Sequence, residues 1–107
     1  MLLGYTLLAL AIVCEVIATV SLRAAGEGRP LAVAAVVLGY LASFVLLALV
    51  LKRIEVSTAY AIWAGAGTAL IAAIGMGVLG EPVSAAKLGS IALIVAGVVG
   101  LNLAGAH

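Results

Sequence analysis

Charge is scarce in this chain: five basic and four acidic residues, 8% of 107, against 67% hydrophobic. Globular chains carry about 25% charged and about 45–50% apolar residues, so the composition points to a bilayer as the solvent. A net charge of +1 builds no basic surface, which argues against nucleic acid as a partner. Cysteine is reduced to Cys14, which excludes an intrachain disulfide and offers no metal quartet; no metal and no cofactor are expected. At about 20 apolar residues per crossing, four crossings take about 80 residues and leave about 27 for ends and loops. A soluble domain or an enzyme-sized cleft does not fit in that remainder, and transport is the function class left.

What is present is a series of long apolar runs. Residues 31–51, 58–80 and 88–106 are uncharged and long enough to span a membrane as helices. Residues 2–22 form a fourth run, interrupted only by Glu15. This run lacks a basic n-region and carries a carboxylate, so it reads as a retained helix rather than a signal peptide. The joints at 23–30, 52–57 and 81–87 hold the polar and turn-forming residues. Such short loops make consecutive helices antiparallel neighbours, and an up-down bundle of four helices in one domain, 1–107, with helices at about 2–22, 31–51, 58–80 and 87–106, is expected. Pro30 and Pro82 stand where proline starts a helix.

Four spans put Arg23, Arg29 and Lys87 on one membrane face, and Lys52, Arg53 and the terminal amine on the other. The bias that normally fixes orientation is close to absent, so insertion in both directions and antiparallel pairing are expected; the alternative is that one orientation wins through features other than charge counts. Four helices are also too few to enclose a solute path and bury their own polar groups, which implies self-association. Gly89, Ser90, Gly97 and Gly100 offer close approach along the last helix, although glycine is common in membrane helices generally.

Glu15 is the only ionisable side chain well inside a predicted span. A charge there costs several kcal/mol, about 2.5–3.5 on insertion scales, and such residues face the bundle interior and serve transport or proton relay; a neutral, hydrogen-bonded acid is the structural alternative. Its helix face holds Leu8, Ala11, Ile12, Ala18, Thr19 and Leu22, and the small Ala11, Ala18 and Thr19 are expected to leave open volume for a ligand. Cys14 is rotated about 100° away and reads as a packing residue.

The aromatic residues are few: Tyr5, Tyr40, Phe44, Tyr60 and Trp63. Tyr40 and Phe44 are one turn apart, as are Tyr60 and Trp63. Tyr5 and Tyr60 also fit an interfacial belt, but a Tyr40 hydroxyl at mid-membrane depth needs a partner. Aromatic faces around a carboxylate attract organic cations.

These residues resemble the small multidrug resistance family over essentially the whole chain. The resemblance rests on residues 11–19 (AIVCEVIAT), 39–44 (GYLASF), 59–67 (AYAIWAGAG), and 96–98 (AGV) with Asn102-Leu103. It implies a proton-coupled exporter: an antiparallel, dual-topology homodimer in the bacterial inner membrane, in which protons and lipophilic cations compete for Glu15. Trp63, Tyr60 and Tyr40 would line the site, with Tyr5, Leu8, Ala11, Ile12, Ala18, Thr19, Ser43 and Phe44 shaping it. Gly65 and Gly67 would form a hinge, and Ser90 and Gly97 would make dimer contacts.

The departures bear on subtype. The family's guanidinium exporters carry a Trp where Ala18 stands and a Lys where Asn102 stands, which favours quaternary ammonium compounds as substrates. Ala18 also replaces a glycine usual in multidrug members, and the first loop, 26–30, lacks the family's Phe-Thr-Arg stretch. Export of guanidinium or small polyamines is the alternative within transport. A subunit acting only in a heterodimer is a third reading; the near-balanced loop charges argue against it.

Overall fold

The computed structural model describes residues 2–105 and contains four helices: α1 Leu2–Gly26, α2 Pro30–Val50, α3 Val56–Gly77 and α4 Ala85–Gly105. Each is long and apolar enough to cross a membrane; the 21 residues of α2 rise about 31 Å, against a hydrocarbon core of about 30 Å. Among the described residues there is no strand. The chain is an all-α, multi-pass membrane protein.

Several helix ends differ from the hydropathy reading, because backbone capping rather than polarity sets them. α1 runs four residues past Leu22, to Gly26. It stops where Gly28, at φ +84°, lets the Arg29 amide bond to the Ala24 carbonyl (3.3 Å) and the Gly28 amide to Ala25 (2.9 Å), the paired bonds of a Schellman cap. Pro30 then opens α2 as expected. α3 starts at Val56 and ends at Gly77, three residues before Gly80; there a φ of +73° turns the chain so that the Glu81 amide donates to the Gly75 carbonyl at 2.9 Å. Pro82 does not start α4. That helix begins at Ala85, behind a cap in which Ser84 Oγ accepts the Lys87 amide at 3.1 Å. The expected end of the last helix at Ala106 and the amine of Met1 lie outside the described residues.

The helices do not close into a four-helix bundle. The molecule is a slab of 45 × 35 × 17 Å, in which α1 packs on α2 and α3, and α4 packs on α3. Leu8, Ile12 and Val16 of α1, Leu47 and Val50 of α2, and Ala59 and Ile62 of α3 form the core. No described residue of α4 is buried. Only its Lys87, Ile91, Ile94 and Val98 stripe is partly covered. In lipid, an apolar surface gains nothing from burial as such, so helices associate through close packing and hydrogen bonds.

Glycines mark the close approaches. A Cβ on Gly39 of α2 would meet the Ala18 Cβ at 2.9 Å and the Cys14 carbonyl at 3.0 Å; one on Gly65 of α3 would meet Val98 of α4 at 2.7 Å. Large side chains turned outward, such as Leu38, Val45 and Leu93, remain exposed, as lipid-facing surface should.

Candidate functional site

Glu15 lies in the middle of α1 and turns towards both α2 and α3. Its Oε1 accepts a hydrogen bond from Thr19 Oγ1, one turn on, at 3.0 Å. Thr19 Oγ1 is in turn 2.6 Å from the Tyr40 hydroxyl on α2. With Thr19 donating to the carboxylate, Tyr40 must donate to Thr19, since each hydroxyl has one proton. The Tyr40 hydroxyl therefore has the partner that its depth demands.

The second oxygen, Oε2, is buried and has no hydrogen-bond partner. It points at Gly67 of α3, where a Cβ would lie 2.6 Å from it. Gly67 is buried, and α3 runs as unbroken helix through Gly65 and Gly67. In this protomer both glycines serve close approach: Gly65 to α4, Gly67 to the carboxyl group.

A second polar chain fixes the aromatic wall. Trp63 Nε1 donates to Ser43 Oγ at 3.0 Å, and Ser43 Oγ donates to the Ala11 carbonyl at 2.7 Å. Ser43 is fully buried, so this chain ties α3 through α2 to α1. Around it the rings form a continuous row: Tyr40 to Phe44 at 6.4 Å, Phe44 to Trp63 at 5.7 Å, and Trp63 to Tyr60 at 5.7 Å between centroids. These separations suit aromatic contact. Phe44 and Tyr60 are each more than half exposed, so these two rings face out of the protomer.

Not every expected residue joins this group. Tyr5 is ten positions from Glu15, about 15 Å along α1, and packs against the core. Leu8 and Ile12 are core residues, and Ala11 and Ala18 have no exposed surface. The expectation that Ala11 and Ala18 leave open volume is corrected: their small side chains let α2 approach, through Ser43 at Ala11 and Gly39 at Ala18. Ser90 and Gly97 lie on the exposed side of α4, with nothing within 4 Å of a Cβ built on Gly97.

The packing of the carboxyl against Gly67 was not readable from the sequence, where the two are 52 positions apart; only the topology brings a small residue opposite the acid. Among the described residues no cluster of three His, Cys, Asp or Glu could hold a metal ion. What the site offers is one buried carboxyl oxygen without a partner, and a carboxyl linked through Thr19 to the first ring of an aromatic row.

Comparison with known proteins bears on what such a site is. The family model for Small Multidrug Resistance protein matches residues 3–94. Among individual proteins, the chain is 46% identical over 101 residues to quaternary ammonium compound-resistance protein QacE of Escherichia coli, covering 94% of this chain and 92% of that protein. It is 45% identical over 105 residues to multidrug resistance protein mmr of Mycolicibacterium paratuberculosis, covering 96% and 98%. It is 42% identical over 105 residues to multidrug resistance protein EbrB of Bacillus subtilis, covering 97% and 90%. With a match over most of its length and four membrane-spanning helices, the chain belongs to the Small Multidrug Resistance family.

Proposed function

We propose that this protein is a proton-coupled antiporter that exports hydrophobic and aromatic quaternary ammonium cations across the bacterial inner membrane. The observation that carries the reading is the single intramembrane carboxyl of Glu15, linked through Thr19 to Tyr40, the first ring of the row Tyr40, Phe44, Trp63 and Tyr60. An organic cation gains from the ring faces by cation–π and stacking contacts and needs the ionised carboxylate as counter-ion. A proton neutralises that carboxylate. The two ligands therefore exclude one another at Glu15, and an inward proton gradient drives outward movement of the cation if the protein changes its open side only when Glu15 is occupied.

The functional unit in this reading is an antiparallel homodimer assembled from chains inserted in both directions. The flat protomer supports it, because α4 is unburied and Phe44 and Tyr60 face outward. A second copy would complete the chamber, with Ser90 and Gly97 at the contact between α4 helices and Gly65 and Gly67 allowing α3 to bend.

The test is uptake into proteoliposomes under an imposed pH gradient. Glu15→Gln is nearly isosteric but cannot exchange a proton, so it should form the dimer and fail to couple cation movement to the gradient. Coupled uptake at the wild-type rate by this variant would contradict the assignment.

A further inference from the structure

The turn between α2 and α3 borders a cavity of about 500 Å³ lined by Leu7, Leu49, Lys52 and Arg53, a size within the range of ligand sites. The turn itself is firmly packed. After α2 ends at Val50, the Arg53 and Ile54 amides both donate to the Val50 carbonyl at 2.9 Å; Val50 is fully buried, and Ile54 lies against the core. Gly4 of α1 lets this turn come close: a Cβ there would stand 3.3 Å from the Arg53 Cβ and 3.4 Å from the Ile54 side chain. Arg53 is thereby set where α2 ends against α1, next to Lys52, and both basic residues are exposed.

These two neighbouring charges have no countercharge in the protomer. Among the described residues the ion pair is Arg29 with Glu27, in the first loop, and no described carboxylate pairs with Lys52 or Arg53. The acid on the same turn, Glu55, is exposed and precedes α3 as its N-cap residue, where the helix end favours negative charge. The cavity walls change character with depth. Lys52 and Arg53 follow the end of a 21-residue span, at the level of a bilayer's headgroups, whereas Leu49 is one turn further in and Leu7 stands five residues, about 7.5 Å, inside the start of α1. A basic rim above leucine walls suits an anionic phospholipid, its phosphodiester against the two cations and the first methylenes of an acyl chain against the leucines. A free phosphate has no use for the leucines, and a zwitterionic lipid brings a cation of its own to the rim.

We propose that the cavity between the start of α1 and the α2–α3 turn is a binding site for an anionic phospholipid, whose headgroup is held by Lys52 and Arg53 and whose acyl chain enters over Leu7 and Leu49. The site lies wholly within one protomer and does not depend on the role of Glu15. Chains inserted in opposite directions would take this lipid from opposite leaflets.

Native mass spectrometry of the full chain in mixed micelles, with phosphatidylglycerol and phosphatidylcholine of the same acyl chains in equal amounts, gives the preference for anionic lipid per chain. The wild type should favour phosphatidylglycerol, and Lys52→Gln with Arg53→Gln should lower that preference about tenfold, the effect of two basic residues beside one anionic headgroup. Arg23→Gln with Arg29→Gln removes the same charge from the other end of the helices and should leave the preference unchanged. Leu49→Trp, at an exposed position, narrows the cavity while keeping both charges and should weaken lipid binding as well. Glycerophosphoglycerol, the same headgroup without acyl chains, should not displace the bound lipid at equal concentration. No preference in the wild type, or equal losses in the two double variants, would mean general charge attraction and would overturn the site. Displacement by the soluble headgroup, or wild-type binding in Leu49→Trp, would show that the leucine walls hold no lipid and would overturn it equally.

Discussion

The indole N–H of Trp63 donates to Ser43 Oγ at 3.0 Å, and Ser43 passes the bond on to the Ala11 carbonyl at 2.7 Å. One buried hydroxyl thus joins three helices and holds Trp63, an inner ring of the aromatic row, in a fixed plane. Its role is orientation: it carries no charge and does not reach Glu15.

Removing that hydroxyl should therefore cost both stability and aim. Ser43→Ala leaves the Trp63 N–H without its acceptor, a loss of about 1–3 kcal/mol for a buried group. Unfolding in mixed micelles should show a decrease of that size, and aromatic-cation affinity should fall with it. Trp63→Ala should weaken a flat aromatic cation more than guanidinium, because only the former gains stacking area. Equal losses for both ligands would mean that Trp63 packs the helices and does not contact substrate.

The two kinds of glycine should respond differently to a methyl group. Gly39→Ala pushes a Cβ to 2.9 Å from that of Ala18, so α1 and α2 must part, and overpacking of this kind costs about 1–3 kcal/mol. Protomer unfolding should register it. Gly97→Ala meets nothing within 4 Å in the protomer and should leave protomer unfolding alone while weakening dimerisation measured by energy transfer in bilayers. Unaltered dimerisation would remove Gly97 from the interface.

Orientation is open to direct measurement. Arg23, Arg29 and Lys87 oppose Lys52 and Arg53 across the membrane, too small a bias to fix one direction. Single cysteines placed in the loops, on a background lacking Cys14, should label from both sides of the membrane. Adding two lysines to either face should give one orientation and reduced transport, with transport restored by co-expressing oppositely biased variants. Labelling from one side alone in the unbiased protein would contradict antiparallel assembly.

The number and place of the spans were legible in the sequence because apolar length is a direct requirement of the bilayer. Glu15 and the aromatic residues were legible because they are rare in such a chain and expensive or conspicuous where they stand. The helix ends were not, since the left-handed turn at Gly28 and the Ser84 cap depend on backbone hydrogen bonds that hydropathy does not register. Small residues were the hardest to read. Ala18 reads as space near an acid and Gly67 as part of a hinge, yet in the protomer one is spent on contact with Gly39 and the other on seating the carboxyl. A side chain's absence acquires a meaning only once the opposing helix is in place.

If proton and cation share Glu15, binding of the cation displaces protons, and the protons can be counted. Calorimetric titration of the protein with an aromatic quaternary ammonium ion, repeated in buffers of different ionisation enthalpy, gives the protons released per cation bound. A shared carboxyl gives release throughout the pH range in which the free protein holds protons, an affinity that falls as the pH is lowered, and loss of both effects in Glu15→Gln. Binding that releases no proton and keeps the same affinity across that range would contradict it.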